Sequence, residues 1–188
     1  MVLVGKNTTP EIAWKGVTDS PLTGVTRNPV DPRMTAGGSS GGASAVVAAG
    51  MAPVAVGTDA GGSIRIPASF CGIVGFKPTH GRVPMFPASP FGPLAHAGPM
   101  TRTVDDAALL LDVISQPDPR DPTALDVPST PFREQATRDV SGLHVAYSGT
   151  LGWIDVDDEV ARVCDAAVAA IDAAGMPVTA TDPGFADP

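Results

Sequence analysis

Short apolar runs broken by glycine and proline, not long periodic stretches, set the pattern of this chain, and they predict an α/β arrangement. Small and apolar residues from Ala43 to Ala49 predict a helix, with Gly50 as its stop. Two brief apolar runs, Pro53 to Val56 and Cys71 to Phe76, are bounded by Gly and Pro and fit buried strands better than helices. Thr103 to Ser115 predicts a helix. Thr103 and Asp106 stand at capping-box spacing there, ahead of an apolar body of Ala107, Leu110, Leu111 and Ile114. Near the end, Leu143 to Tyr147 predicts a strand and Asp157 to Ala174 a helix. Val160, Val163, Cys164, Ala167, Val168 and Ile171 fall on one face of that helix, and Gly175 stops it. A last strand, Pro177 to Thr181, makes residues 143–181 a strand-helix-strand unit, which favours parallel pairing through a right-handed crossover.

Polar stretches divide these elements. Residues 17–36 are rich in Thr, Pro, Asn and Asp and predict an irregular loop leading to Gly37. Residues 116–139 carry five prolines and no period. A connection that long is unusual inside a compact domain unless it wraps across a surface. There is no internal repeat. The layout expected is one partial domain over residues 1–188, with a core at 37–84 and a Pro-rich connection at 116–139.

Composition narrows the function classes. A length of 188 residues with 43% hydrophobic residues allows a sizeable core. The 21 glycines and 20 prolines stay below the ~25–30% that marks low complexity, so they punctuate turns and tight backbone sites. A net charge of -8 and three lysines, Lys6, Lys15 and Lys77, count against direct nucleic-acid binding. No apolar run approaches the ~18 residues of a membrane span. Met1 to Lys6 also lacks the charged and apolar segments of a signal peptide, so no membrane partner and a cytoplasmic location are expected. Cys71 and Cys164 lie in apolar sequence without CxxC spacing, which predicts buried, reduced thiols. His80, His96 and His144 are isolated and show no ligand spacing, so neither a metal nor a cofactor is expected.

The chemistry concentrates in two glycine-rich segments that carry serines. Gly37-Gly38-Ser39-Ser40-Gly41-Gly42 opens the first helix, and Gly57-Thr58-Asp59-Ala60-Gly61-Gly62-Ser63-Ile64-Arg65 leaves a strand. Glycines beside a serine permit unusual backbone angles and let a substrate approach the main chain. Consecutive N–H groups at Ala60, Gly61, Gly62 and Ser63 can converge on an oxyanion. Asp59 and Arg65 flank that loop and can hold it by charge-assisted hydrogen bonds. Rival readings are weaker. A GxSxG elbow over residues 37–41 has no strand before it; a phosphate loop lacks GK[ST] or GxGxxG after a strand; and Cys71, between Phe70 and Ile73, reads as core and not as a thiol nucleophile.

Taken together, GGSSGGASAVVAAG followed by VGTDAGGSIRIPASFCGIVGFKPTHGRVP closely resembles the defining stretch of the amidase signature family. HAGPMTRTVDDAALLLDVI resembles its following helix. VGKNTTPE and GVTRNPVDP resemble the approach to the first serine, with Asn7 and Thr8 transposed from the usual order. The resemblance implies an α/β fold with a mixed central sheet flanked by helices, incomplete in this chain, and a Ser-Ser-Lys triad. Ser63 matches the nucleophile and Ser39 the proton-relaying serine, which follows a cis peptide bond. Ala60, Gly61 and Gly62 match the oxyanion hole, and Asp59, Arg65 and Ser40 match supporting positions.

No lysine matches the third member of the triad, which in the family lies well upstream of the first serine. The chain is therefore expected to be an internal fragment with little or no activity alone. The activity implied is hydrolysis of a carboxamide C–N bond in a small-molecule amide through a serine acyl-enzyme, in an architecture that leaves room for a homodimer. Two alternatives stand beside it. One is the glutaminase subunit of a tRNA-dependent amidotransferase, from which Ile66 and residues 86–91 depart; the other is a non-catalytic relic or binding module.

Overall fold

Residues 2–185 are described by the computed structural model, and they divide after Thr137 into two units. The first unit starts with an irregular stretch holding a small hairpin, β1 (Asp19–Ser20) and β2 (Gly24–Val25). Helix α1 (Gly41–Ala48) follows, then strand β3 (Val54–Asp59), helix α2 (Arg65–Cys71) and strand β4 (Val74–Gly75). Strand β5 (His96–Thr101) leads into helix α3 (Val104–Ile114), and a short helix α4 (Phe132–Gln135) lies in the proline-rich connection. Strand order is β3-β5-β4, with β5 central and antiparallel to both neighbours.

Two elements differ from the sequence expectation. The run from Cys71 to Phe76 supplies only the two-residue strand β4, because the chain before it coils into α2. The first N–H groups of α2 find their acceptor five and six residues upstream: Asp59 Oδ2 accepts from Ile64 N (3.2 Å) and Arg65 N (3.4 Å). No capping residue stands beside the helix to reveal it. Strand β5 carries no strand pattern in the sequence, because Gly98 and Pro99 interrupt it. Pro99 lies one pair beyond the β4 ladder and its carbonyl still accepts from Phe76 N at 3.0 Å, so its missing N–H removes only the return bond of a terminal pair while its register with Val56 of β3 is kept.

Packing places the core directly under the candidate site. Ala43, Ile64, Ala68 and Met100 form the buried cluster, with Ala55 and Ile73 against it. Ile64, fully buried, immediately follows Ser63 and so ties that serine to the core. Arg102 closes the C-terminal end of α1 by donating Nη1 to the Val47 carbonyl (3.1 Å) and to Ala52 O (3.3 Å). The connection lies across the unit's surface. Asp112 accepts from Phe132 N (2.6 Å), Asp121 from Met85 N (2.9 Å), and Gly81 O from Leu125 N (2.9 Å).

The second unit holds β6 (Val145–Tyr147), α5 (Asp158–Ala173) and β7 (Val178–Ala180), with β6 and β7 paired in parallel. Its helix corrects one expectation. Cys164 is exposed, not buried, as are Val160 and Val163 on the same face. A two-stranded ribbon is too narrow to cover a sixteen-residue amphipathic helix. Among the described residues, no helix is long and apolar enough to cross a membrane.

Candidate active site

Asp59 ends β3 with its carboxylate fully buried, and the loop that follows wraps around it. Oδ1 accepts from Gly62 N (2.7 Å) and Arg65 Nη2 (2.9 Å), and Oδ2 accepts from Arg65 Nε (2.9 Å) besides the two N–H groups that open α2. Burial raises the Asp59 pKa, but the Arg65 fork, the N–H groups of Gly62 and Ile64 and the guanidinium charge outweigh it and bring the pKa to about 2. This carboxylate is ionised at neutral pH and acts as a fixed anchor. The loop residues from Ala60 to Ile64 are thereby bent into a turn that leaves Ser63 half-buried.

The same bonding sorts the backbone donors. Gly62 gives its N–H to Asp59, whereas the N–H groups of Ala60, Gly61 and Ser63 take no acceptor among the described residues. Gly61 is exposed, and a Cβ there would meet no atom within 4 Å. Gly62 has φ +116, outside the range an L side chain adopts comfortably. His96 Nδ1 lies 2.7 Å from Leu94 O and 3.2 Å from Asp59 O, so it carries the proton and donates to these carbonyls, which fixes the strand end from the β5 side.

The first serine segment is held against this loop. Ser40 N donates to the Ser63 carbonyl at 3.3 Å, while Ser40 Oγ accepts from Thr58 N (3.0 Å) and donates to Thr58 O (3.2 Å). Ser39, only 1% exposed, follows a cis peptide bond from Gly38, as the resemblance implies; Phe86–Pro87 is cis as well. The glycines around Ser39 serve the protein's own chain. A Cβ on Gly38 would lie 2.6 Å from the Val17 carbonyl, and on Gly41 or Gly42 it would run into Thr18 or Thr8. Thr18 shares its hydroxyl proton between Gly37 O (2.9 Å) and Ser39 O (3.3 Å) and accepts from Gly41 N (3.0 Å). Nothing in a lone threonine inside a polar loop signals this role.

None of the three lysines is hydrogen-bonded to Ser39 or Ser63 among the described residues. Lys15 pairs with Asp19 at 3.0 Å on the surface, Lys77 donates to Pro78 O at 3.0 Å, and Lys6 is exposed. Cys71 is buried with its Sγ 3.6 Å from Ala36 O, and burial pushes its thiol pKa up, which suits a core residue and not a nucleophile.

A family model described as Amidase matches residues 1–186, nearly the whole chain. The chain belongs to the amidase signature family. Among characterised members it is 46% identical over 188 residues to an acylamidase of Rhodococcus erythropolis, covering all of this chain and 39% of that protein. It is 41% identical over 176 residues to a glutamyl-tRNA(Gln) amidotransferase subunit from a Sulfurihydrogenibium species, covering 93% of this chain and 36% of that one. Among solved amidase signature structures, a bacterial aryl acylamidase superposes with a TM-score of 0.84 at 38% identity, over 93% of this chain and 36% of that chain. A 6-aminohexanoate cyclic dimer hydrolase with its substrate gives the same TM-score, over 96% and 39%. The chain thus spans less than two-fifths of the length of these relatives, and its mixed α/β fold is an incomplete version of theirs.

Proposed function

We propose that the protein carrying these residues is a serine amidase that hydrolyses a small-molecule carboxamide through an acyl-enzyme, with Ser63 as nucleophile. The observation that carries this reading is the loop itself. Asp59 curls residues 60–65 around its carboxylate, leaves Ser63 half-buried, and leaves the neighbouring Ala60 and Gly61 N–H groups without protein acceptors beside open space. In this account the Ser63 hydroxyl attacks the amide carbonyl and its proton passes through Ser39 towards a lysine. The charge on the carbonyl oxygen is met by the loop N–H groups, with Gly62 contributing its positive φ and its bond to Asp59. The C–N bond breaks, the amine leaves with the returned proton, and water then hydrolyses the Ser63 ester.

The lysine belongs to sequence outside these 188 residues, in keeping with relatives more than twice as long. The short chain expressed alone should then be nearly inert, and the full-length protein active in a cytoplasmic setting without cofactor. Purified full-length protein should release aniline from acetanilide-type substrates, and Ser63→Ala should lower kcat by at least about 10³-fold. A Ser63→Ala protein with unchanged turnover would sink the assignment.

A second reading is the glutaminase component of an amidotransferase, favoured by the repeated similarity to glutamyl-tRNA(Gln) amidotransferase subunits. Ile66 bears on it. Its side chain covers Gly62, since a Cβ on that glycine would lie 2.8 Å from Ile66 Cδ1, and so an apolar group stands beside the nucleophile loop. Release of ammonia from free glutamine at a rate above that for anilides, or copurification with a second protein chain, would reverse the order.

A further inference from the structure

Resting on the amidase reading above, we propose that Thr18 is the residue that positions Ser39 for that reaction. Three observations meet in one side chain. Its hydroxyl shares one proton between the carbonyls of Gly37 (2.9 Å) and of Ser39 itself (3.3 Å), one on each side of the Gly38–Ser39 peptide, and accepts from Gly41 N–H two residues further on. The loop is therefore held before, at and after the serine by a single oxygen. That oxygen also does the work of an N-terminal cap. The side chain of Ser40, at the N-cap of α1, makes no capping bond because it is engaged with Thr58, so an orphan donor of the first turn is left for Thr18.

The clamp is rigid from behind. Thr18 is 1% exposed, and its own carbonyl accepts from Thr26 N at 2.8 Å, which ties it to the hairpin strands. Gly38 and Gly41 lack side chains just where the Val17 main chain and the Thr18 side chain pass, so the loop and the clamp interlock without slack. A side chain so buried does not reach substrate, and its effect on the reaction runs through Ser39. Removing the hydroxyl leaves the Gly41 N–H and the Gly37 carbonyl buried and unpaired. The loop then relaxes, and a displacement of order 1 Å costs up to about 10²-fold in rate.

The test uses the full-length protein and two readouts, kcat for an anilide such as 4-nitroacetanilide and the rate of Ser63 labelling by a fluorophosphonate. Thr18→Val replaces the hydroxyl by a methyl at constant shape and should lower both about 10- to 100-fold with KM little changed. Thr18→Ser keeps the hydroxyl and should stay within about threefold of wild type. A purely structural role would reduce the amount of folded protein and leave kcat per folded molecule, measured well below the melting temperature, untouched. Wild-type rates in folded Thr18→Val overturn the proposal, and so does a Thr18→Ser protein as slow as Thr18→Val. If Thr18→Val does not fold, Thr18→Ser decides alone, since loss of rate with the hydroxyl in place contradicts the clamp. Ser63→Ala separates the two levels of failure. If wild type is not labelled at Ser63, or Ser63→Ala still hydrolyses the anilide, the amidase reading falls; if Ser63 is labelled and Thr18→Val is as fast as wild type, only the positioning role falls.

Discussion

Alanine at Gly61 and alanine at Gly38 should fail in opposite ways, because the two glycines face different things. A Cβ on Gly61 meets no protein atom within 4 Å, so Gly61→Ala should fold with an unchanged melting temperature and lose kcat/KM by at least about 10-fold, since the methyl occupies space that the acyl group needs. At Gly38 the Cβ meets the Val17 main chain at 2.6 Å, so Gly38→Ala should lower the melting temperature as well as the rate. Thermal melts beside initial rates check both. Asp59 gives a third expectation. Asp59→Asn frees the loop N–H groups from their charged acceptor and should cut kcat about 100-fold with Ser63 still present. Its folded pKa of about 2 lies below the unfolded value near 3.8, so the stability that the charge provides is fully present well above pH 3.8 and is lost as pH falls from there through 2. The stability gap between wild type and Asp59→Asn should therefore be flat above about pH 5 and close between pH 4 and 2. At this scale the Asp59–Arg65 pairing is legible in the sequence, because opposite charges flanking a short loop name their own contact. Thr18 and the inward-facing glycines are not, because close approach of distant backbone leaves no mark on the local sequence.

Helix α3 is the element whose sequence and structure agree most fully. Thr103 Oγ1 accepts from Asp106 N at 3.1 Å, the N-cap bond that the spacing predicts, and donates to Asp106 Oδ2 at 2.7 Å, so the Asp106 carboxylate meets the threonine hydroxyl in place of the backbone N–H of a full capping box. Thr103→Ala should cost about 1 kcal/mol, read as a drop in melting temperature with the active-site rates unchanged. Elements whose determinants lie far off in sequence were the ones lost. Helix α2 starts on the Asp59 carboxylate and not on a neighbouring cap, and β5 holds Pro99 at the end of its β4 pairing, where the proline gives up one bond. The amphipathic stripe of α5 is present but exposed, since a stripe announces what a helix can pack against and not what is there.

For the whole molecule, the incomplete fold and the missing base point the same way. The chain spans 39% of an acylamidase and has no lysine bonded to Ser39 or Ser63 among the described residues, and on the proposed reading the base comes from the rest of a longer protein. The measurement closest to the central claim is peptide mapping of the full-length protein after reaction with a fluorophosphonate, beside its amide hydrolysis. The account predicts one adduct, on Ser63, formed in step with the loss of activity and absent from both Ser63→Ala and the 188-residue chain alone. An adduct on another residue, or full hydrolysis persisting after Ser63 is modified, would contradict it.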